Sequence, residues 1–317
     1  MKTTLSQNIR HWLADRFGER VRFDEPMAAH TSLRVGGPAE AMVTVRTPAE
    51  LRGLLQKCKS SDAPMRIIGG GTNLLVRDAG IDGVAVVLAG DFDDIHPDGE
   101  NGSGTYLRAM SGTSLKRLCR HCISGGLAGL DFAVGIPGTV GGAVVMNAGT
   151  PDGCMQSVVD RVDIMMPEGE TRKIERPALR FAYRRLEIPG VDPAALLPAV
   201  ILSARLKVMP AAPEELQREA VLRMQRRSRH QPYDMPSAGS FFKNPPGGKS
   251  AGQLIDEAGL KGTQVGGALV SPKHANFIVN TGGATARDIE QLMAIIRREI
   301  KAKFQVSLEP EVRIIGR

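Results

Sequence analysis

Five short segments carry residue types whose spacing could do chemistry. In Ile67–Asp78 (IIGGGTNLLVRD) a buried apolar run enters Gly69-Gly70-Gly71, followed by Thr72 and Asn73. Consecutive glycines let a backbone approach a ligand closely and point successive N–H groups at an anion. A triple glycine serves equally as a tight turn, so phosphate binding and plain turning both stay open. Phe132–Gly149 (FAVGIPGTVGGAVVMNAG) holds five glycines, one proline and no charged residue. It is either a packed loop or a surface laid along a large flat cofactor, since so long an uncharged stretch rarely stays bare. Pro236–Pro245 (PSAGSFFKNP) sets Ser240 after Gly239 and ahead of Lys243 and Asn244. That order suits a hydroxyl held against a ligand with the lysine on an anion; the plain alternative is a turn serine and a solvated lysine. Leu308–Gly316 (LEPEVRIIG) predicts a strand with Glu311 and Arg313 on one face, two residues apart. As a surface ion pair they would contribute little. Phe181–Arg185 (FAYRR) offers Tyr183 and Arg184, which say nothing unaided.

Other chemistries lack their patterns. The glycine turn is neither G-x-G-x-x-G nor a P-loop, because no Gly-Lys-Ser/Thr follows. The Ser240 segment is not G-x-S-x-G. Cys119 and Cys122 form a C-x-x-C, but no second pair completes a zinc set, so they read as packing thiols on one helix face.

The elements that must position these residues alternate between helix and strand. Thr47 caps a helix that Pro48 opens and Glu50 supports through a capping box. MRIIG is a buried strand leading into the glycine turn. VAVVLAG and TYLRAMSG are strands, and SLKRLCRHCISGG is a helix closed by Gly125 and Gly126. VDIMMPEGETRKI predicts a hairpin and AVILSARLKVM a closing strand. Three further helices follow, in PEELQREAVLRMQRRSR, SAGQLIDEAGL and ATARDIEQLMAIIRREIKAKF, before a last strand, VRIIG. The expected units are 1–85, 86–210 and 211–306, with 307–317 packing back toward the active site.

A chain of 317 residues with 42% apolar and 24% charged residues can bury sizeable cores. No apolar run approaches the ~20 residues of a membrane span, and the start lacks a signal core, so a cytoplasmic location is expected. The net charge of +7 suits anionic ligands by steering, or simply a solvated basic surface. Nucleic acid is not expected, because no basic stripe carries interleaved stacking aromatics.

Taken in order, the five segments resemble the UDP-N-acetylenolpyruvoylglucosamine reductase family. HTSLRVGGPAE at 30–40 and KHANFIVN at 273–280 resemble two further motifs of that family, so the similarity spans about residues 22 to 316. The resemblance implies an α+β fold: a two-part FAD-binding fold of the vanillyl-alcohol-oxidase type plus an α/β substrate-binding domain. On that assignment 1–85 and 86–210 are the two FAD-binding subdomains and 211–306 the substrate-binding domain. It implies non-covalent FAD held by Arg34, Gly69, Gly70, Gly71, Thr72, Asn73, Ile136, Pro137, Gly138, Thr139, Gly141 and Gly142. NADPH is the implied co-substrate, and a UDP-sugar the substrate. Arg184, Ser240 and Glu311 match the family's catalytic arginine, serine and glutamate. Lys243 and Asn244 match the family's substrate-binding positions, and Tyr183 and Gln231 are further substrate-binding candidates. Arg229 and His230 are weaker ones, since a basic helix end often serves only the helix dipole, and His274 reads as a packed histidine. One departure stands out: the family usually has Tyr-Arg-x-Ser, and here Leu186 occupies the serine position. Only 55 residues lie between Arg184 and Ser240, which implies the shorter subtype without the extra substrate-covering loop.

The implied reaction reduces UDP-N-acetylglucosamine enolpyruvate to UDP-N-acetylmuramate for peptidoglycan. Negative charge then develops on the substrate carboxylate, where Arg184 and Glu311 would meet it, and Ser240 would protonate the adjacent carbon. A monomer without metal, membrane or nucleic-acid partner is expected. Two rivals remain: a flavin oxidase of the same fold, separable by a covalent flavin tether, and a non-catalytic nucleotide-binding protein, separable by the colour of the purified protein.

Overall fold

A computed structural model describes residues 5–101, 104–192 and 195–317. By its own contacts the chain divides into two units. The first comprises residues up to Phe23, Glu40–Gly70 and Gly83–Gln225; the second comprises Asp24–Ala39, Gly71–Asp82 and Arg226–Arg317. The division falls inside the triple glycine: Gly70 ends a segment of the first unit and Gly71 begins one of the second.

The first unit is built on two sheets. The smaller runs in the order Val21–Pro26, Pro38–Val45, Ile81–Leu88, Met65–Ile67, and its last two strands pair in parallel. The helix Pro48–Ser60 links Pro38–Val45 to Met65–Ile67, and its fully buried Leu51, Leu54, Leu55 and Cys58 recur at helical spacing into one core. Its start is held by a Thr47 hydroxyl that accepts the Glu50 N–H at 3.1 Å. The Glu50 carboxylate accepts the Arg46 N–H and takes both Arg20 guanidinium nitrogens at 2.8 Å. That fork holds the Glu50 carboxyl down at about 2, well below the usual range.

The larger sheet has Val200–Pro210 at its middle. Val159–Met165 and Thr171–Glu175 lie on one side of it, Gly104–Met110 and Ile95–Asn101 on the other, with Leu127–Ala128 paired at its end. The predicted hairpin is present in full register, from Arg161 opposite Glu175 to Met165 opposite Thr171. The predicted closing strand is central instead, paired with Val159–Met165 on one edge and Gly104–Met110 on the other. The helix Leu115–Ser124 buries Leu118, Cys119 and Cys122 against this sheet, together with the short helix Val140–Val145. Burial pushes both thiols up to about 12, so they are packing groups and not redox-poised ones.

The second unit is an antiparallel sheet, Ser237–Ser240, Phe277–Asn280, Ala268–Val270, Gln264–Val265, covered by the helices Ala251–Glu257 and Ala286–Phe304. Capping boxes open both helices, Ser250 with Gln253 and Thr285 with Asp288. Phe241, Phe242, Ile255, Ile289, Leu292 and Ile296 fill its core. The final strand, Arg313–Ile315, lies parallel to Leu74–Val76, with Arg313 opposite Leu74. It begins later than expected, so Glu311 is not on it; residues 309–311 pair elsewhere.

Among the described residues, no helix is long and apolar enough to cross a membrane.

Candidate active site

Within the first unit, two glycine-rich segments remote in sequence meet. An ideal Cβ built on Gly69 would lie 2.7 Å from Thr139 Oγ1, so only glycine permits that approach. Thr139 caps the helix Val140–Val145 by accepting the Gly142 N–H at 3.4 Å. Gly138 accepts the Leu115 N–H, and Gly141 donates to Ser111 O, both at 2.9 Å. Ile136 is half-buried against the core of the larger sheet. Gly69, Gly70, Pro137 and Gly142 are exposed and bear no charged side chain. This surface of bare backbone next to one hydroxyl fits a large flat anionic cofactor such as FAD.

Arg184 and Tyr183 form the two-residue turn of a hairpin, Arg180–Ala182 with Arg185–Glu187. Arg184 has φ +58, a left-handed conformation that non-glycine residues adopt at a cost. Its guanidinium carbon sits 5.0 Å from the Tyr183 ring centroid, within cation–π range. Leu186, opposite Phe181, packs with it against the core, so the residue in the family's serine position serves as an apolar anchor for the turn. The turn is also held by Asn147, which is buried. Its Nδ2 donates to Ala182 O at 3.0 Å and its Oδ1 accepts the Gln156 N–H at 2.9 Å. Asn147 belongs to the uncharged run Phe132–Gly149, and its standing as a lone amide there was the only sign of it.

Within the second unit, Ser240, Lys243, Asn73 and Glu311 are brought to one place. Ser237 pairs with Val279 and Ser240 with Phe277, so three steps on one strand match two on the other: a bulge, with Gly239 at φ +77. Beyond the bulge the chain pairs antiparallel with residues 309–311. The Glu311 N–H donates to Phe241 O at 2.8 Å, Phe242 faces Pro310, and the Lys243 N–H donates to Glu309 O at 2.9 Å. Asn73 Nδ2 donates to Glu311 O at 3.3 Å, while Asn73 O accepts the Arg313 N–H at 3.0 Å. Lys243 Nζ lies 3.2 Å from Glu309 Oε2, both partly solvent-exposed. Thr72 is half-buried beside Asn73. Gly71 is closed in, since a Cβ there would meet His30 O at 1.9 Å.

The other residues expected at a site fall as follows. Arg34 is exposed on a turn at φ +54; its N–H donates to Thr31 O, and the Leu33 carbonyl accepts from Asn280 Nδ2 at 3.0 Å. Asn244 Oδ1 accepts the Ala251 N–H at 3.0 Å and so also serves the start of a helix. Arg229 and His230 are exposed at the end of the helix Pro213–His230, and the Gln231 N–H donates to Arg227 O. Among the described residues, no recorded hydrogen bond or ion pair joins Arg229 or Gln231 to the Ser240 strand. His274 stacks edge-on against Phe277, and burial lowers its pKa.

Comparison with known proteins gives these arrangements a context. The model of the UDP-N-acetylenolpyruvoylglucosamine reductase C-terminal domain matches residues 231–315, and that of the FAD binding domain matches 39–175. A UDP-N-acetylenolpyruvoylglucosamine reductase of Desulfosudis oleivorans is 46% identical, over 98% of this chain and 100% of that protein. One from Heliobacterium modesticaldum is 41% identical, over 92% and 90% respectively. The crystal structure of the Thermus caldophilus UDP-N-acetylenolpyruvylglucosamine reductase superposes with a TM-score of 0.76 at 37% identity, covering 92% of this chain and 97% of that one. Matched along its length by full-length relatives, the chain belongs to the UDP-N-acetylenolpyruvoylglucosamine reductase family.

Proposed function

We propose that this chain carries out the NADPH-dependent, FAD-mediated reduction of UDP-N-acetylglucosamine enolpyruvate to UDP-N-acetylmuramate, with Ser240, Arg184 and Glu311 as its catalytic residues. It is a flavin-dependent oxidoreductase of peptidoglycan synthesis. The observation that supports the reading of its residues is the pairing of 241–243 with 309–311, which brings the chain at Ser240 beside that at Glu311.

FAD, when bound, supplies the hydride that NADPH donates and the vinyl carbon receives. Gly69–Asn73, Ile136–Gly142 and Arg34 are the residues that would hold it. Residues 1–85 and 86–210 form the two parts of the cofactor-binding region. Residues 211–306 bind the sugar nucleotide, and 307–317 return to the active site.

The chain's own work is on charge and protons. As the enol ether is reduced, charge moves onto the substrate carboxylate. The Arg184 guanidinium presents a fork of donors matched to that group. The Glu311 carboxyl bonds the same carboxylate when it carries a proton, because two adjacent carboxylates do not both ionise cheaply. The Ser240 hydroxyl gives its proton to the carbon beside the carboxylate. A hydroxyl is a weak acid, but the carbanionic centre it meets is a strong base. Lys243, with Asn244, balances the diphosphate, while Tyr183, Arg229 and Gln231 complete the substrate contacts. The enzyme is a cytoplasmic monomer of the shorter subtype.

Mixing the protein with NADPH should bleach the flavin absorbance, and adding the enolpyruvyl sugar nucleotide should restore it. Bleaching with no recovery on substrate would end this reading.

A further inference from the structure

We propose that Asn276 is the positioning residue for the proton-donating half of the reaction: its side-chain amide fixes the Phe242 peptide and thereby sets Ser240, Lys243 and Glu311 relative to one another. The inference rests on the reading of Ser240 given above.

Asn276 is 4% exposed. Its Nδ2 donates to Phe242 O at 2.8 Å and its Oδ1 accepts the Phe242 N–H at 3.0 Å, while its own carbonyl accepts the Phe241 N–H at 2.9 Å. One side chain therefore presents the donor and acceptor that a neighbouring strand's backbone would have offered. This occurs two residues past Ser240, where regular pairing with Phe277–Asn280 has stopped. The opposite edge of the same segment is committed to 309–311 through the Glu311 and Lys243 N–H groups. The Phe242 peptide is thus clamped from both sides, and Ser240 and Lys243 flank it.

Asn276 is itself fixed. Its N–H donates to His274 Nδ1 at 3.2 Å, and the helix Ala251–Glu257 passes close to it, since a Cβ on Gly252 would lie 3.7 Å from Asn276 Cβ. The charged or titratable groups around it are His274, on which Lys261, His230 and Asp256 act, and Lys243, Glu309 and Glu311 along the clamped segment. No other described side chain makes both hydrogen bonds to the Phe242 peptide.

The test compares Asn276→Ala and Asn276→Asp with wild type in both half-reactions, alongside melting temperature, bound FAD and hydrogen exchange at the Phe242 amide. With either variant, NADPH should bleach the flavin within about twofold of the wild-type rate, and FAD content should not change. Reoxidation by the enolpyruvyl sugar nucleotide should slow by ~10–100-fold, the scale of a displacement near 1 Å at a reacting group. Phe242 exchange should quicken in both. The aspartate variant carries the sharper readout. Its carboxylate accepts from Phe242 N–H but cannot donate to Phe242 O, whereas the protonated acid does both. Its reoxidation rate, as a ratio to wild type at each pH, should therefore climb toward one as pH falls; a ratio divides out the titration of the surrounding groups. If Asn276→Ala fails to fold, the aspartate variant alone decides. A ratio flat with pH, both half-reactions falling together, or a folded alanine variant reoxidising at the wild-type rate would each overturn the proposal. Wild-type enzyme that the substrate does not reoxidise would instead overturn the functional reading itself.

Discussion

Around Thr139 the exposed surface is largely peptide backbone: Gly69, Gly70 and Gly142 leave their main chain bare beside the Thr139 hydroxyl. Around Phe242 the main chain is paired on both edges, and what is left to act is side chain, chiefly Ser240, Lys243 and Glu311. The first region suits a ligand that is the same in every turnover and can be held by shape and N–H groups. The second suits one that changes during turnover, where a proton must arrive at one atom. A backbone surface tolerates few substitutions of any kind, because any side chain fills it. A side-chain surface tolerates most changes except at the groups that act and at those that hold them.

That contrast can be broken. The largest expected effect is at Ser240. Ser240→Ala should leave bleaching by NADPH near normal and slow reoxidation by ~10²–10⁴-fold, as loss of a general acid does. Substrate affinity should hardly move, and Ser240→Cys should keep more activity than alanine. Stopped-flow traces of the two half-reactions decide; equal losses in both would make Ser240 a turn residue.

Next comes the glycine turn. Gly70→Asp places a carboxylate against the cofactor phosphates, a like-charge contact that costs several kcal/mol, or ~10²-fold or more in FAD affinity. The purified protein should be colourless, with its melting curve otherwise intact. A folded variant as yellow as wild type would remove the phosphates from that turn.

A smaller effect is expected at Asn147. Asn147→Gly accommodates the backbone, since φ there is +42, but removes the side-chain bond to Ala182 O that holds the Arg184 turn and the one that takes the Gln156 N–H. Lost buried hydrogen bonds of ~1–3 kcal/mol should slow reoxidation by roughly tenfold while FAD stays bound. Cofactor loss in this variant would place Asn147 with the backbone region and not with the catalytic arginine.

The smallest effect concerns stability alone. The Glu50 carboxyl, depressed from 4.5 to about 2 in the folded chain, contributes stability that is fully present above pH 4.5 and is lost as pH falls toward 2. Glu50→Gln should remove about 1 kcal/mol at neutral pH, after solvent screening of a partly exposed pair. It should also flatten the acid limb of stability between those pH values. Chemical denaturation at pH 7 and pH 3 checks both, and neither half-reaction should change.

How much of this could be read from the residues follows the same contrast. Gly69–Gly71 and Ile136–Gly142 announced themselves, because a surface made of backbone needs glycine and shows as composition. The helices did too, through caps such as Thr47 and through the spacing of Leu51, Leu54, Leu55 and Cys58. Ser240 and Glu311 stand out singly by residue type, but only resemblance joins them, since the pairing between their segments spans about 70 residues and leaves no local period. For the same reason Glu311 was assigned to a strand that in fact starts at Arg313. Asn147, Asn276 and Asn280 stayed hidden because each bonds to main-chain groups of a distant segment, and a main-chain partner has no residue type to betray it. Val200–Pro210 was legible as a strand but not as the central one, because position in a sheet depends on its neighbours' register.

The parallel pairing of Arg313–Ile315 with Leu74–Val76 bears on how the molecule is made in the cell. Asn73 and Glu311 are separated by 238 residues. At the usual ~5–20 residues per second of synthesis, the early strand emerges roughly 12–50 s before its partner. Until then Leu75, which becomes fully buried, has no neighbour at that edge. The strand is therefore open to chaperones, or to the same strand on a nascent chain nearby, for most of the protein's birth on the ribosome.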